Sequence, residues 1–219
     1  MSEQLIRVLL ADDHAMVRRG LRALVETLSG WSVCAEARTG REAVELAEKL
    51  HPDIVIMDMA MPVLNGLEAT RQIKKVCPET EVLIFTGHET EALVHQVFEA
   101  GARSYISKTA GTESLQTALR ALADHKSYFT TEVGEILFAK FLREKKSGDE
   151  ETGQGRLTAR EREIVQLLGE GASNKEVAAA LGISIKTAET HRATIMKKLG
   201  LHAFSDLIRY AIRNNIISS

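Results

Sequence analysis

The chain has 219 residues, 44% of them hydrophobic and 26% charged, with a formal net charge of −2. That fits one or two ordinary globular domains. It argues against a membrane span, because no apolar run approaches the roughly 20 residues one requires. Met1-Ser2-Glu3-Gln4 lacks the basic region of a signal peptide, and Cys34 and Cys77 have no metal-ligand spacing. Two small buried thiols in a chain of this kind fit a reducing cytoplasm. The overall charge conceals a split. From Arg156 onward ten Lys/Arg stand against six Asp/Glu, a net of +4, which leaves −6 on the residues before it. An acidic front and a basic tail predict two domains with different partners, the second nucleic acid.

Leu5 to Ala11 reads as an apolar strand, followed by Asp12-Asp13-His14 and a helical pattern through Val17, Leu21, Leu24, Val25 and Leu28 that Gly30 stops. Ser32 to Glu36 is a second short strand, and Ala43, Val44, Leu46, Ala47 and Leu50 mark a second helix. Asp53-Ile54-Val55-Ile56-Met57-Asp58 holds four consecutive apolar residues, three of them β-branched, as expected of a strand buried on both faces. Pro62 prevents it from continuing as a central strand. Helix through Leu67, Thr70, Ile73 and Lys74, strand from Glu81 to Thr86, helix through Leu93, Val94, Val97 and Phe98, strand from Arg103 to Ser107, and helix through Leu115, Ala118, Leu119 and Leu122 complete five alternations. That pattern predicts a doubly wound, five-stranded parallel α/β sheet.

The downstream strand ends then share one edge, where open α/β sheets bind ligands. They deliver Asp12, Asp13, Asp58, Thr86 and Lys108. Each alone is more often a solvated or capping residue; the combination is not. Clustered carboxylates raise one another's pKa unless a cation sits among them. Oxygen-rich surroundings favour a hard ion such as Mg²⁺. A lysine and a hydroxyl suit a phosphoryl group, with a carboxylate as the nucleophile.

These residues, with Met61-Pro62 and Gly66 after Asp58, Gly87 after Thr86, and Tyr105, make the segment from Leu5 to Asp124 resemble a two-component receiver domain. The resemblance implies a flavodoxin-like sheet of order 2-1-3-4-5 and phosphorylation of Asp58 by a sensor histidine kinase. It implies Mg²⁺ held by Asp13, Asp58 and the backbone carbonyl of Ala60 with support from Asp12. Lys108 would pair with the phosphoryl oxygens, Thr86 would hydrogen-bond the phosphoryl, and Tyr105 would turn inward as Thr86 vacates its space. The chain departs from the common pattern at Thr109, where many receivers have a proline, and at Ser107, often apolar. Ala60 and His88 border the expected phosphoryl position, Ala60 leaving access for water and His88 positioning or blocking it. A phosphatase of the haloacid-dehalogenase type would want a second Asp where Ala60 stands. No Gly-x-x-x-x-Gly-Lys-Ser/Thr loop supports an NTPase. The chain is accordingly expected to be no enzyme beyond its own dephosphorylation. A constitutive DNA binder with a vestigial receiver is the remaining rival, and the complete acid set argues against it.

Tyr128 to Lys146, with Val133, Ile136, Leu137, Phe138 and Phe141 mostly on one face, predicts a connector helix. Ser147 to Gly155 has no aliphatic or aromatic side chain and reads as a flexible linker. The domains expected are thus 1–127, a connector and linker over 128–155, and 156–219. In the last, Thr158 with Glu161 forms a capping box before Ile164, Val165, Leu167 and Leu168, and Gly169 and Gly171 end that helix. Ser173 or Asn174 caps the next, through Val177, Ala178 and Leu181; Gly182 turns the chain, Ser184 caps a third, Gly200 ends it, and a fourth starts near Ser205. This is an all-α four-helix domain with a helix-turn-helix inside a basic segment. At about 100° per residue, Ala188, Ile195 and Leu199 face the core. Lys186, Thr190, Ala193 and Lys197 face out, flanked by Glu189 and Met196 on one side and Thr187, His191, Thr194 and Lys198 on the other. Lys175 joins this set, and Arg192 is expected to snorkel. Small, hydroxylated and basic residues suit base edges and phosphates of a major groove.

Leu157-Thr158-Ala159-Arg160-Glu161-Arg162-Glu163, Asn174-Lys175-Glu176-Val177-Ala178 and Lys186-Thr187-Ala188-Glu189-Thr190-His191 resemble the LuxR-type DNA-binding domain. Glu189 stands where many members have Lys and Ala188 where Val is usual. If Glu189 meets a base, it should accept from a cytosine N4 amino group. Together the two halves resemble a NarL/FixJ-type response regulator. That implies a cytoplasmic transcription regulator acting on double-stranded promoter DNA, a homodimer once phosphorylated, and RNA polymerase as a further candidate partner.

Overall fold

The computed structural model describes residues 5–87, 91–144 and 157–217. His88 and the expected linker over 147–155 lie outside them, as does Phe141 for its side chain. The chain divides into two compact units, built from the elements up to residue 144 and those after residue 157.

In the first unit, β1 (Ile6–Ala11), α1 (Ala15–Glu26), β2 (Trp31–Ala37), α2 (Gly40–Leu50), β3 (Ile54–Met57), α3 (Gly66–Val76), β4 (Glu81–Thr86), α4 (Glu91–Glu99), β5 (Ser104–Ser107) and α5 (Thr112–Ala123) alternate as the sequence predicts. All strand pairs are parallel, in the order β2-β1-β3-β4-β5. Period-two alternation splits the apolar strands between two cores. Val8, Leu10, Ile54, Ile56, Leu83 and Ile106 pack with Leu21 and Val25 of α1 and Leu115, Leu119 and Leu122 of α5. The alternate residues Leu9, Val55, Met57, Val82 and Ile84 are equally buried. They face the side of α2 and α3, which pack on each other. Each fully buried Leu or Ile contributes about 1.5–3 kcal/mol by transfer alone. Helix α2 starts where Thr39 accepts a hydrogen bond from the Glu42 amide and ends at His51 in the left-handed region.

Two features differ from expectation. Register passes from Val8↔Val33 to Leu9↔Ala35, so Cys34 is an extra residue in β2, its thiol 3.4 Å from the Val8 carbonyl. The expected five-stranded sheet also gains a sixth strand. Tyr128–Phe129 forms β6, parallel to β5, with Ser104 opposite Tyr128 and Tyr105 opposite Phe129. The Ser104 hydroxyl donates to the Tyr128 carbonyl at 2.9 Å, and Phe129 packs edge-on against Phe98 with ring centroids 5.1 Å apart. The connector helix therefore begins not at Tyr128 but at Thr131, as α6 (Thr131–Glu144), which packs on α4 and β6. Two residues of pairing have no period to detect, so aromatic docking won over helical phase. Of the apolar residues expected on one face of α6, Val133 is buried but Phe138 is 63% exposed.

The second unit is four helices, α7 (Ala159–Gly169), α8 (Asn174–Leu181), α9 (Ile185–Lys198) and α10 (Phe204–Arg213). Thr158 and Glu161 form the capping box expected for α7, and Ser173 with Glu176 forms one for α8. Ser184 caps α9 by accepting from the Thr187 amide. Gly182, at φ 63°, supplies the left-handed turn between α8 and α9. Ile164, Val165, Val177, Ala178, Ala188, Ile195, Leu207 and Ala211 form one core. Among the described residues no helix is long and apolar enough to cross a membrane.

Candidate functional site

The sheet register assembles the first site. Ala11 pairs with Met57, so the residues that follow them, Asp12 and Asp58, emerge side by side. Thr86 pairs with Ser107, and the next amide, Lys108, donates to the Thr86 carbonyl at 2.7 Å. Lys108 Nζ then lies 2.8 Å from Asp12 Oδ2 and 3.1 Å from Asp58 Oδ2. Both carboxylates are almost wholly buried, whereas Lys108 keeps 22% of its side chain exposed. Asp58 Oδ1 accepts the Met59 amide at 2.8 Å, and the Asp12 carbonyl accepts Arg18 Nη1 at 2.7 Å. Thr86, the last residue of β4, and Tyr105, opposite Ile84 in the first half of β5, are both fully buried. Ala60 is half-buried two residues beyond Asp58, and the Lys108–Thr109 bond is trans.

Gly66 opens α3 directly behind Asp58. A Cβ there would lie 2.0 Å from the Asp58 carbonyl oxygen and 2.9 Å from its carbon, so only a bare Cα lets the helix begin this close. In the same loop Val63 has φ 69°. That conformation costs a β-branched residue on the order of 1–3 kcal/mol, so the segment linking Asp58 to α3 is strained.

Burial pushes the Asp58 carboxyl above the ordinary aspartate range, against the pull of Lys108 and with a further push from Asp12. Burial also opposes the Lys108 ammonium, but Asp12 and Asp58 outweigh it and hold its pKa above the usual lysine value. Because the folded chain binds the Asp58 proton more tightly than the unfolded one, ionised Asp58 lowers stability. With divalent ions chelated, the Asp58 contribution to stability is fully present below its unfolded pKa and is lost as pH rises through the raised folded one. Asp58→Asn is therefore expected to raise the melting temperature of the chelated chain at neutral pH by a few degrees, the scale on which about 1 kcal/mol acts in a chain of this size. A melting curve in which the variant is unchanged or less stable counts against this electrostatic account.

His14 was not among the residues the sequence singled out as ligands. Its Nδ1 lies 2.7 Å from Asp13 Oδ1 and 3.4 Å from Asp12 Oδ1, and its amide donates to Asp12 Oδ1 at 2.8 Å. One donor atom from each of Asp12, Asp13, His14 and Asp58 lies within 4.8 Å of the others. Asp12 Oδ2 is buried and paired with the Lys108 ammonium at 2.8 Å. Three crowded acids facing one ammonium leave an excess of negative charge, and an oxygen-rich donor set of this kind fits a cation.

On α9, Ala188 and Ile195 are buried and Leu199 half-buried, as the helical phase predicts. Lys186, Thr187, Glu189, Thr190, Ala193, Thr194, Lys197 and Lys198 are exposed, as is Lys175 on α8, and His191 and Met196 are half-buried. Arg192 does not simply snorkel. Its guanidinium carbon sits 4.9 Å above the Phe204 ring, tying α9 to the start of α10. Lys198 Nζ makes a 2.8 Å ion pair with Glu161 Oε2, joining the end of α9 to the capping box of α7. Burial opposes the Glu161 charge, yet Lys198 and Thr158 together hold its carboxyl below the usual range.

A carboxylate-lysine cluster at the edge of a doubly wound sheet and a helix-turn-helix unit on the same chain define a phosphorylation-controlled DNA-binding regulator. Residues 8–120 match the response regulator receiver domain, and residues 155–211 match the bacterial regulatory proteins of the luxR family. The chain belongs to the LuxR-type response regulators, DNA-binding transcription regulators of two-component systems. It is 38% identical to the transcriptional regulatory protein LiaR of Bacillus subtilis over 98% of this chain and 100% of that one. It is likewise 38% identical to the response regulator VraR of Staphylococcus aureus, over 97% of this chain and 99% of that one. Among solved structures, RcsB from Salmonella enterica serovar Typhimurium, bound to a promoter in the presence of a phosphomimetic, superposes with TM-score 0.59 at 26% identity, covering 94% of this chain and 98% of that one.

Proposed function

We propose that Asp58 accepts a phosphoryl group from a sensor histidine kinase and that this charge controls binding of the second unit to promoter DNA. The observation that carries the proposal is the buried Asp58 carboxylate with the Lys108 ammonium 3.1 Å away. An Asp58 carboxylate oxygen attacks the phosphorus of the donor's phosphohistidine. The new O–P bond forms as the P–N bond breaks, and the imidazole nitrogen leaves with the electron pair. Asp13, Asp58 and the Ala60 carbonyl, supported by Asp12, would hold Mg²⁺, which supplies charge neutralisation at the transferring oxygens. Lys108 pairs with a phosphoryl oxygen, the Thr86 hydroxyl donates to another, and Tyr105 fills the space Thr86 leaves. The chain acts on no external substrate.

The receiver is assigned to 1–127, the connector and linker to 128–155, and the DNA-binding domain to 156–219. Lys175, Lys186, Thr187, Glu189, Thr190, His191, Ala193, Thr194 and Lys197 would meet bases and phosphates. The regulator would work in the cytoplasm, dimerise when phosphorylated so that two helices read paired half-sites, and contact RNA polymerase. A gel shift on genomic fragments, with and without a small phosphodonor and Mg²⁺, tests the whole. Phosphodonor should tighten binding to a subset of fragments, and equal affinity in both conditions refutes the switch.

Lys198, already paired with Glu161, should differ from its neighbour. Lys197→Gln is expected to lower the slope of log K against log salt by about 0.9, one phosphate contact, whereas Lys198→Gln leaves the slope unchanged. A slope lowered equally by both would make Lys198 a phosphate contact after all.

A further inference from the structure

We propose that Arg18 is a positioning residue for phosphoryl acceptance: anchored on the Glu36 carboxylate of β2, it holds the backbone of Asp12 and thereby fixes Lys108 between Asp12 and Asp58. This rests on the reading above that Asp58 is the acceptor, and it assigns a role to a buried guanidinium outside the carboxylate–lysine cluster.

Arg18 lies on α1 with only 5% of its surface exposed. Its Nη1 donates to the Asp12 carbonyl at 2.7 Å, and its Nε donates to Glu36 Oε2 at 3.0 Å. A guanidinium is a rigid planar fork, so two partners on it are held at a fixed separation. The anchor end is itself clamped. Arg22 Nε donates to Glu36 Oε1 at 2.8 Å, so each carboxylate oxygen has its own arginine. Arg22, with Arg18 behind it, outweighs burial and holds the Glu36 carboxyl below the usual range. At the other end the Asp12 amide donates to the Ala37 carbonyl at 3.2 Å. With its carbonyl taken by Arg18, Asp12 has both backbone groups held, and its side chain is aimed accordingly. Oδ2 meets the Lys108 ammonium at 2.8 Å, and the same ammonium lies 3.1 Å from Asp58 Oδ2.

The strand is built to present that anchor. Ile6, Val8 and Leu10 of β1 pair with Trp31, Val33 and Glu36 of β2, and the apolar five of these pack in the core shared with α1. Paired residues on neighbouring strands point to the same face. Uninterrupted pairing from Val8↔Val33 would therefore set Ala35 opposite Leu10 and turn Glu36 to the other face, away from α1. The extra residue Cys34 shifts the register, so that Glu36 falls opposite Leu10 and meets Arg18 and Arg22. Bulges next to reactive sites re-aim a side chain in this way. An apolar residue at 18 would pack α1 on the sheet without the desolvation cost of a buried guanidinium. What the guanidinium adds is its hold on two polar partners.

The test reads the side-chain ammonium resonance of Lys108 in the isotope-labelled full-length chain, identified by its loss in Lys108→Arg. An ammonium held between two buried carboxylates exchanges its protons slowly and stays visible, whereas a released one does not. Arg18→Gln is expected to displace or broaden that resonance at temperatures where circular dichroism shows the chain folded. It should also slow phosphoryl incorporation from a small phosphodonor about 10-fold, less than the roughly 10²-fold of a 1 Å misplacement. Glu36→Gln alters a side chain 32% exposed and should move the resonance the same way by a smaller amount. Should Arg18→Gln fail to fold, Glu36→Gln decides alone. A lowered urea midpoint with the Lys108 resonance and the rate unchanged makes Arg18 a strut for α1 and overturns the proposal. A parent chain that takes up no phosphoryl, while its Lys108 resonance still responds to Arg18→Gln, overturns the acceptor reading and not the hold of Arg18 on Asp12.

Discussion

Asp58→Ala is expected to reduce phosphoryl incorporation from a small phosphodonor to background. Three carboxylates stand at the edge of the sheet, so the loss is not trivial: Asp12 or Asp13 could in principle substitute. Asp12 is the most buried of the three, with one oxygen against Lys108 and the other accepting the His14 amide. Asp13 meets His14 rather than Lys108. Asp58 combines a lysine at 3.1 Å with a place directly after β3, at the middle of the sheet's carboxyl edge. Lys108→Ala should retain slow incorporation, reduced by about 10²-fold, because it removes one preorganised charge and not the nucleophile. Hydroxylamine-sensitive label, measured on both variants with Mg²⁺ present, separates them. Persistent label on Asp58→Ala would move the acceptor elsewhere.

Gly66→Ala is expected to cost about 3 kcal/mol or more, the upper end of ordinary overpacking. The added methyl would meet backbone, the Asp58 carbonyl at 2.0 Å, and no rotamer can relieve such a contact. Either α3 or the end of β3 must move. Displacing Asp58 by about 1 Å would cut phosphotransfer by roughly 10²-fold. Urea unfolding and phosphorylation rate should therefore fall together. A variant within about 0.5 kcal/mol of the parent would show that the helix start yields freely. The glycine, not in itself reactive, fixes where the reactive residue stands.

Much of this arrangement is legible in the sequence because it follows from periodicity. Alternating strand and helix patterns fix which ends of β1, β3, β4 and β5 face the same way, and so bring Asp12, Asp58, Thr86 and Lys108 to one edge. Thr158–Glu161 declares its helix start because a capping box is a local event of four residues, whereas the start of α8 is open between Ser173 and Asn174 until the structure pairs Ser173 with Glu176. What escapes is side-chain choice over long separations. Nothing in the helical phase of Lys198 says that its ammonium pairs with Glu161, 37 residues earlier. Arg192 finds the face of Phe204 for the same reason. The approach of the His14 ring to Asp13 likewise depends on a side-chain rotamer that no periodicity encodes. Val63 in the left-handed region defies its own propensity, which only tertiary packing can impose. The two-residue β6 has too few residues for any pattern to announce it.

The two margins of the sheet have a bearing on how copies of the chain behave when crowded. At one side β2 carries the extra residue Cys34, which interrupts its pairing with β1, and Glu36, engaged by Arg18 and Arg22. At the other, β6 covers the first half of β5 with a segment only two residues long. A kinked, charged border and a very short one are both poor templates for a foreign strand. Growth of the sheet from chain to chain is thereby discouraged at either end. The dimer proposed for the phosphorylated chain would then use helical faces, where association closes after two partners instead of propagating into a filament.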